Sequence, residues 1–143
     1  MPYQYLDDAT TADVAFEASG ETLRELLLAA WEATVGLMIE NPELLHGNEI
    51  RRLELGNDDP EMLLFDLLGE LLFYKDAEGV LLTLPDLSLQ ETEGCYRVEA
   101  NARGARIDPE RHALGVDIKA VTLHQFRLTK SAEGWNARVV LDT

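Results

Sequence analysis

The sequence predicts an α+β fold, in which two helices pack on antiparallel β-sheet. Two separate segments repeat apolar residues with the three- and four-residue spacing of a helix that buries one face. Most of the second half of the chain carries alternating or short apolar runs, which are typical of strands. The order strand, helix, strand, helix and then several strands also indicates an internal duplication.

The first strand and the first helix follow each other near the start of the chain. Residues 12–19 alternate between apolar and polar, with Phe16 on the apolar face, and Gly20 ends the run. The helix that follows should end near Glu40, because a proline at position 42 disfavours its continuation. Its buried face is predicted to consist of Leu23, Leu26, Leu27, Ala30, Trp31 and Thr34.

The second helix has a clear start signal. After a short strand around Leu53, the sequence Asp59-Pro60-Glu61 supplies an N-cap acid, a proline at the first helical position and a further acid. Residues 76–79 should end this helix. Its broad apolar stripe is interpreted as core, not as a groove for a partner: Leu63, Leu64, Leu67, Leu68, Leu71 and Leu72.

The rest of the chain is predicted to be strand and turn. Five segments have strand-like patterns: 80–84, 87–89, 96–103, 116–130 and 135–141. Residues 104–115 are predicted to form a loop, and residues 131–134 a hairpin turn that makes the last two strands antiparallel.

The charge balance limits the possible partners. Lys and Arg number 12 against 27 Asp and Glu, which gives a formal net charge of −15. This charge argues against a protein that grips nucleic acid with a broad basic face. A basic protein partner, a site that concentrates cations, and a plain solvated acidic surface all remain compatible with it.

Length and cysteine content predict a single cytoplasmic domain over residues 1–143. Cys95 is the only cysteine, so neither an internal disulfide nor a thiolate zinc site can form. The start of the chain lacks the pattern of a secretory signal, and the apolar runs are shorter than a membrane span requires. Association with a membrane is therefore not expected.

Carboxylates at strand ends are the main candidates for a functional site. Asp13, Asp117 and Asp142 each lie at the edge of a predicted strand, and Thr143 adds an α-carboxylate beside Asp142. If Asp13 met the other end of the chain, the cluster would need a cation, and oxygen ligands suit Mg²⁺, Ca²⁺ or Mn²⁺. Alternatively, Asp13 caps a turn and Asp117 pairs with Lys119. No nucleotide-binding or hydrolase motif is present, so no catalytic residue is predicted.

Six short motifs follow one another along the chain. They are a tyrosine-rich opening strand (3–7), a Thr-Ala-Asp motif (11–14), a G-x-T-L helix start (20–23), the second helix (63–72), His112 followed by an acid-Ile-Lys-Ala-Val-Thr segment that ends in a second histidine (117–124), and an ending with Asp after apolar residues (140–143). In content and in order they resemble the motifs of the archease family, whose own ending is apolar-Asp-apolar. The resemblance implies two interlocked strand–helix–strand–strand modules.

The resemblance also implies a function. Archeases are accessory proteins of the RtcB-type RNA ligase, which joins RNA ends in tRNA splicing and RNA repair. They promote guanylylation of the ligase histidine by GTP and so support multiple turnover. A member of this family would thus be an activator, not an enzyme. It would meet GTP through the ligase and would not bind nucleic acid strongly by itself.

The resemblance further implies the residues of the site. Asp13, Asp142 and the α-carboxylate of Thr143 would hold a divalent metal ion such as calcium, magnesium or manganese. Asp117 and Lys119 would engage the ligase or its nucleotide. The sequence departs from the family at Thr10, where a histidine is usual. It also departs at Asp117, where glutamate is common, and at Thr143, where isoleucine or valine is usual.

A different class of function remains open from the residues alone. The chain could be an acidic chaperone-like or scaffolding module that docks a basic partner without a functional metal site. Such a module should depend strongly on salt and should not depend on Asp13.

Overall fold

The computed structural model describes residues 2–6 and 13–143. In chain order the described elements are β1 Tyr3–Leu6, β2 Asp13–Gly20, α1 Leu23–Met38, a 3₁₀ helix Pro42–Leu45, β3 Glu49–Asn57, α2 Pro60–Glu78, β4 Val80–Thr83, β5 Ser88–Thr92, β6 Cys95–Arg106, β7 Ala120–Ser131 and β8 Gly134–Asp142. No helix within these ranges is both long enough and apolar enough to cross a membrane. The motif residues Asp7 and Thr10 to Ala12 lie outside the described part of the chain.

The strands form two antiparallel sheets. The first sheet has the order β1-β2-β8-β7, and the second has the order β3-β6-β4, with β5 paired to β6 beyond the end of β4. The segment from β3 to β6 is therefore inserted between α1 and the β7–β8 hairpin of the first sheet. Each part follows the order strand, helix, strands, so the interlocked arrangement and the α+β class are both confirmed.

The two helices join the sheets around one hydrophobic core. α1 contacts β1, β2 and β8 of the first sheet and β4 of the second, while α2 contacts β3 and β4 as well as β7. The leucine stripe of α2 is buried as predicted, and each such side chain contributes about 1.5–3 kcal/mol by leaving water. The indole N–H of Trp31 donates to the carbonyl of Leu82 over 2.9 Å, which ties α1 to β4.

Local chemistry sets both helix starts. The Thr22 hydroxyl caps α1 by accepting from the Glu25 N–H over 3.1 Å. Asp59 caps α2 in the same way over 2.9 Å, with Pro60 at the first helical position, as predicted. At the other end of α2, Gly79 adopts a φ of 67°, and its N–H returns to the carbonyl of Lys75.

Two predicted boundaries are wrong. The predicted loop begins too early, because β6 continues to Arg106 and pairs there with β4. The predicted strand 116–130 also begins too early, because β7 starts at Ala120. The N–H groups of Gly115 and Val116 bond instead to the carbonyls of Met38 and Leu37, at the end of α1. This segment is therefore held by a helix end and not by a neighbouring strand.

Candidate functional site

Asp13 and Asp142 lie directly opposite each other at one end of the first sheet. Asp13 is the first residue of β2 and Asp142 the last of β8, and the antiparallel register pairs them. Directly opposed residues project to the same side of a sheet, with Cβ atoms about 4.5–5.5 Å apart. Both residues are half-buried, and so is Thr143, the next residue along the chain. The expected meeting of Asp13 with Asp142 is therefore observed.

The register that makes this pair is fixed by the core. On the inner face of the sheet, Phe16 of β2 is opposite Val139 of β8, and both are fully buried. A slip by one residue would turn these side chains to the outer face, so alternative registers are strongly disfavoured. With this register fixed, the outer face receives Asp13 and Asp142 at the same level, and Ala120 of β7 lies on the far side of Asp142.

The donor set of this pair fits a hard divalent cation. Two like charges directly opposed across strands destabilise a sheet, and a bound cation would remove that cost. The described residues contain no group of three or more His, Cys, Asp or Glu side chains arranged to hold a metal. The pair thus supplies two carboxylates, and further oxygen ligands would have to come from Thr143 or from water. Calcium and magnesium accept such mixed oxygen ligands.

Asp117 pairs with Lys75 and not with Lys119. The Lys75 ammonium lies 3.0 Å from an Asp117 carboxylate oxygen and 3.1 Å from one of Asp76, and it donates to the Ile118 carbonyl over 2.5 Å. The Lys75 side chain is only 9% exposed, whereas that of Asp117 is 84% exposed. The alternative that Asp117 pairs with Lys119 is wrong, because residues 117–119 precede β7 and pack on the end of α2.

Lys75 is a positioning residue that the sequence analysis missed. A lysine in the last turn of a helix, before the glycine that ends it, is a recognisable sign of an interaction with helix-end carbonyls or a nearby segment. The fixed carbonyl of Ile118 is followed by Lys119, whose N–H donates to the carbonyl of Asp142 over 2.8 Å. Lys75 therefore anchors the segment that borders the carboxylate pair.

Asp117 and Lys119 consequently lie near the same end of the first sheet as Asp13 and Asp142. Both residues are exposed, and Lys119 is joined to Asp142 through its backbone. The structure thus brings a basic and an acidic side chain to the border of the carboxylate pair, where a partner can reach them.

His112, which belongs to one of the motifs, is buried in the preceding loop. The ring Nδ1 of His112 accepts from the backbone N–H of Asp108 over 3.0 Å, and the backbone N–H of His112 donates to the Asp108 carbonyl over 2.7 Å. An Nδ1 that accepts a hydrogen bond places the proton of the neutral ring on Nε2. His112 therefore shapes the loop between β6 and β7.

Comparison with known proteins agrees with this architecture. The model of the archease protein family matches residues 3–143. The chain is 38% identical over 141 residues to an archease of Methanosarcina mazei, which covers 98% of this chain and 94% of the relative. It is 32% identical over 133 residues to an archease of Pyrococcus abyssi, covering 92% of this chain and 93% of the relative.

Solved structures show the same fold. The solution structure of protein 1598 from Methanobacterium thermoautotrophicum matches with a TM-score of 0.83 and 31% identity, over 99% of both chains. The crystal structure of an archease from Thermotoga maritima, described as a possible chaperone, matches with a TM-score of 0.60 and 20% identity, over 96% of both chains. The latter similarity concerns the fold alone. The family match, the sequence relatives and the shared architecture together establish that the chain belongs to the archease family.

Proposed function

We propose that this chain is an accessory protein of an RtcB-type RNA ligase, acting in tRNA splicing or RNA repair. It promotes guanylylation of the ligase histidine and thereby supports multiple turnover, and it is an activator, not a catalyst. Family membership supports the accessory role. The observation that carries the proposal further is the register pairing of Asp13 with Asp142.

In this proposal the carboxylate pair holds a divalent metal ion, which is calcium, magnesium or manganese. Asp13 and Asp142 supply two ligands from neighbouring strands, and the α-carboxylate of Thr143 is proposed as the third. When bound, such an ion offsets phosphate charge during nucleotidyl transfer. Asp117 and Lys119, exposed beside the pair, contact the ligase or its nucleotide.

The proposed activation can be tested by multiple-turnover RNA ligation with a cognate ligase. Wild-type protein should increase the turnover number, and Asp13→Asn should lower that stimulation at least tenfold. Asp58→Asn is the matched control, because Asp58 is an exposed acid in the turn before α2 and far along the chain from the pair. Full stimulation by a folded Asp13→Asn variant would rule out a role for the pair.

The proposed metal site needs a separate measurement without the ligase. Calorimetric titration with calcium or manganese should give binding that Asp142→Asn weakens at least tenfold and Asp58→Asn leaves unchanged. A Gly-Ser extension after Thr143 displaces the α-carboxylate, so metal affinity unchanged by the extension would exclude Thr143 as a ligand.

The competing proposal is an acidic chaperone-like module without a functional metal site. The net charge of −15 favours it, because a strongly acidic surface suits a basic partner. In that case stimulation should fall steeply with salt and should respond equally to Asp13→Asn and Asp58→Asn, because the charge would act as a whole. The same turnover assay therefore separates the two proposals.

A further inference from the structure

Two arginines oppose each other on the outer face of the first sheet. Arg127 of β7 is the register partner of Arg138 of β8, so both side chains project to the same side. Like charges in directly opposed positions destabilise a sheet. The chain has only 12 Lys and Arg against 27 Asp and Glu, so two directly opposed arginines are unexpected from its composition.

Arg138 is fixed in place. One guanidinium nitrogen lies 3.8 Å from a carboxylate oxygen of Glu17 on β2, and another donates to the Gln125 side-chain oxygen over 3.1 Å. The Arg138 side chain is only 18% exposed. Arg127, in contrast, is exposed, and no acidic side chain of the described residues forms an ion pair with it. One arginine of the pair is therefore held rigidly, and the other presents its charge to solvent.

A bulge in β7 completes the surroundings. Between Thr122 and Arg127 the register shifts, so three additional residues of β7 are accommodated against β8. Within the bulge Gln125 has a φ of 55°, a left-handed conformation that is strained for a residue with a side chain. In this conformation the side-chain oxygen of Gln125 accepts a hydrogen bond from Arg138. The side-chain NH₂ group of Gln125 can then donate to a ligand. Bulges commonly re-aim side chains beside functional sites.

These groups line a surface cavity of about 460 Å³. Within the part of the chain that the structure describes, its lining residues are Gln125, Phe126, Arg127 and Arg138. Phe126 projects its buried ring to the opposite, inner face of the sheet, where it packs edge-on against Phe65 of α2 with ring centroids 5.7 Å apart and anchors the strand beneath the cavity. The cavity thus combines two guanidinium groups and an amide donor on a fixed base. We call this cavity the arginine pocket.

We propose that the arginine pocket binds the phosphate group of a small molecule. Guanidinium groups match phosphate oxygens through paired, charge-assisted hydrogen bonds. Arg127 adds a positive charge that no acid of the described residues offsets, beside the Arg138 guanidinium that Glu17 and Gln125 hold in place. The net charge of −15 repels a long polyanion, so a single phosphate fits better than an extended nucleic acid. Because the proposed function places the nucleotide on the ligase, a phosphate site on this chain is an additional activity.

The arginine pocket is distinct from the carboxylate pair. Arg138 and Asp142 lie four residues apart on β8 and project to the same face, which separates their Cα atoms by about 13 Å along the strand. Phosphate in the pocket would therefore not use the ligands that the metal proposal requires. The two sites can be tested independently.

The test is a titration of the full chain with inorganic phosphate, at constant ionic strength and without divalent metal or ligase. Arginine side-chain Nε–H signals in ¹⁵N NMR spectra should shift saturably for Arg127 and Arg138. Arg127→Gln should weaken binding at least fivefold. Arg97→Gln is the matched control, because Arg97 is an exposed arginine on β6 of the second sheet and its loss changes the net charge equally.

Four outcomes would overturn the proposal. Equal weakening by Arg97→Gln and Arg127→Gln would mean that phosphate senses only the overall charge. Acetate binding as tightly as phosphate would point to a partner's carboxylate, and tighter Arg127-dependent binding of a single-stranded RNA oligonucleotide would point to nucleic acid. Arg127→Lys keeps the charge but lacks the paired donors, so it should bind phosphate more weakly than wild type. Its backbone amide spectrum should show that the variant is folded. Binding equal to wild type would also contradict the proposal.

Discussion

Replacing Lys75 with methionine should destabilise the folded protein by about 2 kcal/mol. The Lys75 ammonium is held at the end of α2 by the carbonyl of Ile118 and by two carboxylates, and its side chain is 9% exposed. Methionine retains most of the aliphatic volume but removes the charge and all three donors. The change therefore isolates the polar contacts of Lys75 from the packing of its stem.

The magnitude follows from the burial of each partner. A hydrogen bond that involves a charged group contributes about 1.5–3 kcal/mol, and the bond to the Ile118 carbonyl belongs to this class. The ion pair with Asp117 contributes little, because the Asp117 side chain is 84% exposed and exposed pairs are worth about 0–1 kcal/mol. Asp117→Asn should accordingly cost less than about 0.5 kcal/mol.

Urea unfolding of wild type, Lys75→Met, Asp117→Asn and the double variant measures these terms. The double-mutant cycle should give a small coupling free energy between Lys75 and Asp117. Most of the decrease in the free energy of unfolding should already be present in Lys75→Met. If Asp117→Asn alone destabilised the protein as much as Lys75→Met, the ion pair and not the carbonyl would hold this segment.

Three further predictions concern other parts of the fold. Burial and the neighbouring Tyr3 raise the pKa of Tyr5 to about 12, so wild type should lose stability as the pH rises from 10 to 12. This loss in the free energy of unfolding is about 1 kcal/mol after allowance for solvent screening, and Tyr5→Phe should lack it. Urea unfolding of both proteins at pH 9 and pH 11 measures it, and an equal change in stability for the two proteins would contradict the prediction. A methyl group at Gly104 would lie 1.9 Å from the Leu81 carbonyl oxygen. Gly104→Ala should therefore lower the free energy of unfolding by about 3 kcal/mol, as measured by thermal unfolding. A decrease below about 1 kcal/mol would show that β4 can move away. A methyl group at Gly79 would contact no neighbouring atom, but the residue would keep a φ of 67°. Gly79→Ala should therefore lower the free energy of unfolding by about 1 kcal/mol through backbone strain alone. An unchanged melting temperature would exclude that strain.

The fold was predictable wherever local chemistry determines an element. The start and end of α2 follow from Asp59, Pro60 and Gly79, whose effects act within one turn of the helix. The start of β7 was not predictable in this way. Alternation continues through residues 116–119, but hydrogen bonds from the end of α1 hold Gly115 and Val116 outside the sheet.

The candidate site was predictable only in part. The pairing of Asp13 with Asp142 depends on the register of two strands from opposite ends of the chain, and spacing alone left it open. The resemblance to the family supplied that pairing. The role of Lys75 was not predictable, because Asp117 and Ile118 lie more than 40 residues away from it in the chain. The opposition of Arg127 and Arg138 depends on a bulge that no alternating pattern reveals. Long-range register and bulges are set by packing, not by local propensity.

The most direct test of the central claim is the single-turnover rate of ligase guanylylation, measured with GTP and divalent metal in the presence of wild-type protein, Asp142→Asn or Asp58→Asn. Wild type and Asp58→Asn should accelerate guanylylation equally, while Asp142→Asn should lose at least nine tenths of the acceleration. Urea unfolding confirms that each variant is folded before the comparison. Full acceleration by folded Asp142→Asn would contradict the claim that the carboxylate pair is the means of activation.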